Sequence, residues 1–169
     1  MVTRVPLDPA VFGPESPCFG CSPTHPIGLH LRPELVTDER GERAVEVVFV
    51  PGERYQGPPG VMHGGLVMTL ADELGAWTVI GLAERFGFTA AMSAKLHRPV
   101  RIGQQVVGRG TLLSTPGRVV KVGVTLSQAD AATFSGELTF ALLDEAGAER
   151  LLGGPLPASW RRFARSSAG

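Results

Sequence analysis

Residues 66–82 form the longest stretch in which nearly every position is apolar or small. A run with no polar stripe of its own predicts a helix buried on most of its faces rather than one lying on the surface. Asp72 and Glu73 interrupt it with two adjacent charges. On either side the period falls to two. Residues 30–36 and 44–50 are short β-prone runs around a polar turn at 37–42, which predicts a first hairpin. After Phe86-Gly87-Phe88 ends the helix, Ala90, Met92, Ala94 and Leu96 alternate with Thr89, Ser93, Lys95 and His97, the pattern of a half-buried strand. Alternation returns at Val120, Val122, Val124 and Leu126, and again at Phe134, Gly136, Leu138, Phe140 and Leu142. Turns are predicted at Pro116-Gly117 and at 128–131. Connections this short favour antiparallel neighbours, so the chain is expected to be α+β, with one long helix and about five strands.

With 169 residues the chain can bury one substantial core but not obviously two. The expected organisation is an extended lead-in at 1–28, one folded domain at 29–150 and a tail at 151–169. Sixteen basic and 16 acidic side chains cancel, which argues against a general electrostatic grip on nucleic acid or an anionic membrane. The tail carries Trp160, Arg161, Arg162, Phe163 and Arg165, and either a docked helix or a frayed end fits it. No stacking platform accompanies that cluster, so no nucleic-acid partner is expected. The N-terminal string MVTRVPLDPAVFGPESP lacks a continuous apolar stretch of the signal-peptide kind, so a cytoplasmic protein is expected. No membrane span is expected either, because Asp72 and Glu73 divide the longest apolar run.

Cys18 and Cys21 are too few for a disulfide framework. Zinc would need two further ligands, and the spacing to His25 and His30 matches no standard finger. Packed or free thiols, and no metal, are the expectation.

The chemistry concentrates where the helix begins. Gly64 and Gly65 let a ligand approach the main chain, and the first N–H groups of a helix have no internal partners. Together with the helix dipole those donors favour an anion, or an oxygen that becomes anionic in a reaction. A carboxylate buried within such a helix is costly unless paired, and proteins retain one where its charge or proton is used.

The string His63-Gly64-Gly65, with Gly60 three residues before it and Asp72 after six more residues, resembles the signature of hotdog-fold acyl-CoA thioesterases of the phenylacetate-degradation type. CFGCSPTHPIGLHLRP at 18–33 resembles their cysteine-containing, Pro-x-Gly-Leu lead-in, and KLHRPVRIGQ at 95–104 resembles a strand ending in a basic residue, proline and a turn. The resemblance implies a hotdog fold, an antiparallel sheet wrapped around one central helix. It also implies hydrolysis of an acyl-CoA thioester to free acid and coenzyme A, with no cofactor. By position it makes Gly64 N–H the oxyanion donor and Asp72 the general base or nucleophile. His63 then supports the turn or the thioester, and Thr89 orients water. Some relatives carry Asn where this chain has Gly57, and Gln56 is the substitute amide. Gly65 is expected against substrate, with Lys95, Arg98 and Arg101 on the phosphates of the coenzyme.

Glu73 is the competing acid, about 100° around the helix from Asp72, and the spacing favours Asp72. Met62, Met68, Trp77 and Phe88 are candidates for the acyl pocket. His63 and Asp72, nine positions apart, would face opposite ways on one helix. In the family this is resolved by a dimer, in which the turn of one subunit faces the acid of the other, and a homodimer or homotetramer is expected here. Two other functions fit less well. A noncatalytic acyl-binding or assembly module is compatible with the fold, while a hydratase or dehydratase would need a histidine beside its acid, and none stands there.

Overall fold

The computed structural model describes residues 1–12, 16–115 and 117–165. Strands β1 (Thr3–Pro6), β2 (Glu34–Thr37), β3 (Arg43–Phe49), β4 (Gly87–Leu96), β5 (Val106–Ser114), β6 (Val119–Gln128) and β7 (Ala131–Leu142) form one antiparallel sheet. Their order across it is β1-β2-β3-β5-β6-β7-β4. The predicted long helix is α1 (Gly64–Thr78), extended by a π-helical turn at Val79–Ala83 and closed by Glu84 in the left-handed region. A short α2 (Glu145–Leu152) follows the last strand. This is the hotdog arrangement.

Val67, Leu70, Ala71, Leu74 and Trp77 of α1 are buried against Val122, Val124, Leu126, Phe134 and Leu138 of the sheet. The approach is close because glycines stand at the crossing. A Cβ on Gly75 would lie 3.0 Å from both Leu138 and Phe140, one on Gly108 would lie 2.7 Å from Leu74, and one on Gly110 would overlap the Thr78 hydroxyl. That hydroxyl already donates to Leu74 O at 2.7 Å.

Two strands and a helix escape the hydrophobic pattern for physical reasons. The inward positions of β5 are Val106, Gly108 and Gly110, so the buried face that periodicity detects is largely missing from its sequence. Every residue of β1 is exposed, and only Ala148 of α2 is buried, so neither carries a stripe. The first hairpin starts at Glu34 rather than at 30, since His30 takes a positive φ and Pro33 precedes the strand. The strand predicted as half-buried is instead mostly exposed: β4 is the sheet edge, and of its residues only Gly87 and Met92 are partly covered. A bulge between Thr89 and Ala91 also breaks its alternation.

Of the two predicted turns, Ala129 and Asp130 adopt positive φ between β6 and β7, as a tight hairpin requires. Gly117 does so between β5 and β6, while Pro116 lies outside the described residues. Contrary to the sequence expectation, the stretch Gly64–Ala83 is long and apolar enough to cross a membrane, two carboxylates notwithstanding. In the fold half of it is buried against the sheet.

If glycine sets the helix seat, Gly110→Ala should lower unfolding stability by about 1–3 kcal/mol in urea titrations. Gly154→Ala, with open space around it, should change it by less than about 0.5 kcal/mol. Equal effects would contradict this account of the packing.

Candidate functional site

The turn ahead of α1 is held from two sides. His63 N–H donates to Tyr55 O at 2.8 Å, and Met62 N–H donates to Val100 O at 2.8 Å. Val61 bridges to Arg101, which sets the Arg98–Arg101 turn beside the helix start. His63 caps the helix, its Nδ1 accepting from Gly65 N–H at 3.1 Å, and this places the neutral ring's proton on Nε2. Gly65 N–H is therefore engaged by the cap. Gly64 N–H is exposed and makes no hydrogen bond among the described residues. Of the two glycines, it is the one whose N–H is open to a ligand.

Gln56 Oε1 accepts from Gly60 N–H at 2.9 Å, so the carbonyl end is committed while the amide NH2 faces outward as a donor. Gly57 explains why no Asn stands beside it: a Cβ there would lie 3.0 Å from His63 Cα.

Two turns into the helix, Asp72 is half-buried and Thr89 Oγ1 donates to its Oδ1 at 2.6 Å. The β4 bulge falls immediately after Thr89, a local device that re-aims side chains. Thr89 thus holds the carboxylate itself. Lys95, Arg98 and Arg101 are exposed and in no ion pair among the described residues, although only Lys95 lies within β4.

Glu73 has a different setting. It lines a cavity of about 220 Å³ with Ile80, Phe86, Phe88, Phe140 and Trp160, and it packs against Gly20 so tightly that a Cβ there would overlap its carboxylate. Burial, and after it the charge of Asp72, push the Glu73 carboxyl up to about 7, opposed by a hydrogen bond from the Trp77 side chain. Thr89 lines the same cavity, so the hollow opens beside the Asp72 pair. Of the pocket candidates only Phe88 lines it; Met62 and Trp77 are core residues, and Met68 packs half-buried against the core.

The C-terminal segment docks here. Phe86 N–H donates to Phe163 O at 2.8 Å, and the Phe86 and Trp160 rings lie 5.1 Å apart. Sequence reasoning missed this wall, and Trp160 and Phe163 in an otherwise polar tail were its signal.

Cys18 and Cys21 also line the cavity, and they are joined by a disulfide rather than being free thiols. A bond between residues three apart closes one local turn, a use of two cysteines that needs no framework. Their sulfurs and a Glu73 oxygen lie within 4.8 Å of one another, but as a disulfide the sulfurs offer no thiolate pair to a metal. A larger hollow of about 630 Å³, bordered by Lys95, Arg109 and Glu137, shares no lining residue with the Glu73 cavity.

The raised Glu73 value has a stability consequence. Since its folded value exceeds the ordinary 4.5, the favourable contribution is complete below that pH and is lost as pH rises through about 7. The parent's melting temperature should therefore fall between pH 5 and pH 8 more than that of Glu73→Gln, measured by thermal scans in matched buffers. Parallel curves would show that Glu73 is not held in this way.

The Thioesterase superfamily matches residues 59–135, a span covering the helix, its capping turn and Thr89. The chain is 26% identical over 100 residues to acyl-coenzyme A thioesterase THEM4 of Rattus norvegicus, covering 59% of this chain and 43% of that protein. It thus spans less than half the length of this curated relative. Among solved structures, the thioesterase superfamily protein RHA08564 superposes with a TM-score of 0.61 at 26% identity, over 71% of this chain and 60% of that one. A hypothetical thioesterase protein of Streptococcus pneumoniae TIGR4, crystallised with coenzyme A, gives 0.56 at 18% identity, over 59% and 80%, a likeness of fold alone. With the HGG turn, the carboxylate two turns on and the sheet wrapped around both, this chain has a hotdog fold whose residues 59–135 match the Thioesterase superfamily.

Proposed function

We propose that the protein hydrolyses acyl-CoA thioesters to free acid and coenzyme A, at sites completed by a second copy of the chain. The observation that carries this is the Thr89–Asp72 hydrogen bond of 2.6 Å beside an apolar cavity, on a helix whose first N–H is free. Thr89 occupies Oδ1 and leaves Oδ2 of Asp72 to take a proton from water or to attack the carbonyl carbon. Both routes use the same oxygen. The carbonyl oxygen gains charge as the tetrahedral carbon forms, and a fixed N–H donor such as that of Gly64 is worth roughly 3 to 4 kcal/mol there.

Gly64 and Asp72 of one helix are about 12 Å apart along its axis, at about 1.5 Å per residue. A carbonyl oxygen and the water attacking its carbon must both lie within about 3 Å of one atom. The two groups therefore serve the same substrate only if they come from different copies. Edge strand β4 supports a dimer, since it exposes Phe88 and Leu96 together with one unpaired side of its backbone. The free cations Lys95, Arg98 and Arg101 suit coenzyme phosphates, with Gln56 as a second amide donor. The name of the THEM4 relative supports the substrate class.

Asp72→Asn should reduce kcat at least about a hundredfold, because Asn keeps the shape but neither accepts a proton nor attacks. Its melting temperature should stay at or above that of the parent. Thiol release from a panel of acyl-CoAs, followed colorimetrically, measures this, with Glu73→Gln as the matched variant. Loss confined to Glu73→Gln would make Glu73 the acid, and loss in neither would end the thioesterase reading.

A further inference from the structure

The proposed hydrolysis leaves one reactive group at the site without a task. Cys18 and Cys21 are half-buried, close the Cys18-Phe19-Gly20-Cys21 turn, and line the cavity that Thr89 also lines. The turn is seated on α1 through Gly20, whose missing side chain makes room for the Glu73 carboxylate. It is anchored further by Leu29 N–H donating to Phe19 O at 3.1 Å and by Ser22 N–H donating to Cys18 O at 3.2 Å. A carboxyl group thus stands within 4.8 Å of both sulfurs. The sulfurs differ, because Cys21 N–H donates to Cys18 Sγ at 3.1 Å and nothing comparable reaches Cys21 among the described residues.

From this arrangement we infer that the Cys18–Cys21 disulfide is a thiol-exchange site, and that the thiol it takes is the coenzyme A freed beside Asp72. The identity of the thiol rests on the hydrolase reading, whereas the exchange chemistry does not. A thioester cleaved next to Thr89 leaves its sulfur at the mouth of a cavity with a disulfide in its wall. That sulfur, as thiolate, attacks Cys21 Sγ in line with the Cys18–Cys21 bond. One S–S bond forms between coenzyme A and Cys21 while the internal one breaks, and Cys18 leaves as a thiolate stabilised by the Cys21 N–H. Glu73 passes the proton lost by the coenzyme to Cys18. The balance is one thiol and one disulfide before and after, so no separate oxidant or reductant is consumed. Exchange cuts the link that closes the turn over Glu73 and leaves the coenzyme tethered at the site, so the product would occupy it covalently.

The test uses the full chain in its oxidised form, free coenzyme A, and intact-mass spectrometry without reductant. One coenzyme A adduct per chain, mapped to Cys21 and released by dithiothreitol, is expected. Adduct formation should be at least about tenfold slower with Glu73→Gln, since proton transfer by a placed carboxyl is worth that or more. Cysteamine, which has the thiol without the nucleotide, should react at least about tenfold more slowly than coenzyme A if the basic residues guide the coenzyme in. No adduct, or equal rates with the two thiols, would overturn the inference. Acyl-CoA hydrolysis is assayed on the same preparation: turnover without adduct defeats the exchange alone, and adduct without turnover defeats the hydrolase reading and with it the source of the thiol, while the exchange chemistry stands.

Discussion

Gly75 on α1 and Gly108 and Gly110 on β5 present no side chain to the facing element, and the helix therefore lies on the sheet at a separation that one methyl group would break. Interiors packed this densely transmit small displacements. The seat fixes the rotation of α1, which turns Val67, Leu70, Ala71 and Leu74 into the core and leaves Asp72 and Glu73 where helix meets edge strand and N-terminal segment. Asp72 then falls within hydrogen-bond reach of Thr89, and Glu73 within contact of Gly20. Two neighbouring carboxylates on one helix so acquire separate environments, one held by a hydroxyl and the other walled by aromatic rings and a disulfide turn.

The parts of this structure that bury an apolar face were legible in the sequence. The helix announces itself as a long apolar run, the first hairpin as two β-prone runs around a polar turn, and strands β6 and β7 through their period of two. The glycines that seat the helix hid β5, because an inward-facing glycine looks to a pattern like a break. The edge strand misled for another reason: its apolar positions alternate as if covered, and within one chain they are open. Such a row suits burial by a second copy, which is information about assembly rather than about the fold of one chain.

For the site, local signals carried most of the weight. Gly64 and Asp72 were candidates because a free first-turn N–H and an acid in an apolar helix each have a physical signature at short range, and the spacing of the resemblance chose Asp72 over Glu73, while the capping by His63 came only with the structure. The Thr89–Asp72 bond spans 17 residues and depends on a bulge, so sequence gave the residue without its partner. Of the cavity wall only Phe88 was picked out as pocket lining, and the aromatic residues of the tail were its remaining signal. The wall is assembled from Cys18, Cys21, Phe86 and Trp160, which are brought together only when both ends of the chain dock on the same side of the helix.

If the first N–H of one helix and Asp72 of another make one site, two chains with different defects should restore activity when mixed. Gly64→Pro deletes that N–H at a helix position where proline is favoured, and His63 already has the extended backbone that a following proline requires. Asp72→Asn deletes the acid. Each variant alone should be nearly inactive. After unfolding and refolding together in equal amounts, half of the dimers should be mixed, each with one intact site of two, restoring about a quarter of the parental rate of thiol release. No gain over the separate variants, with mixed dimers verified by mass, would place both groups in one chain and contradict the account.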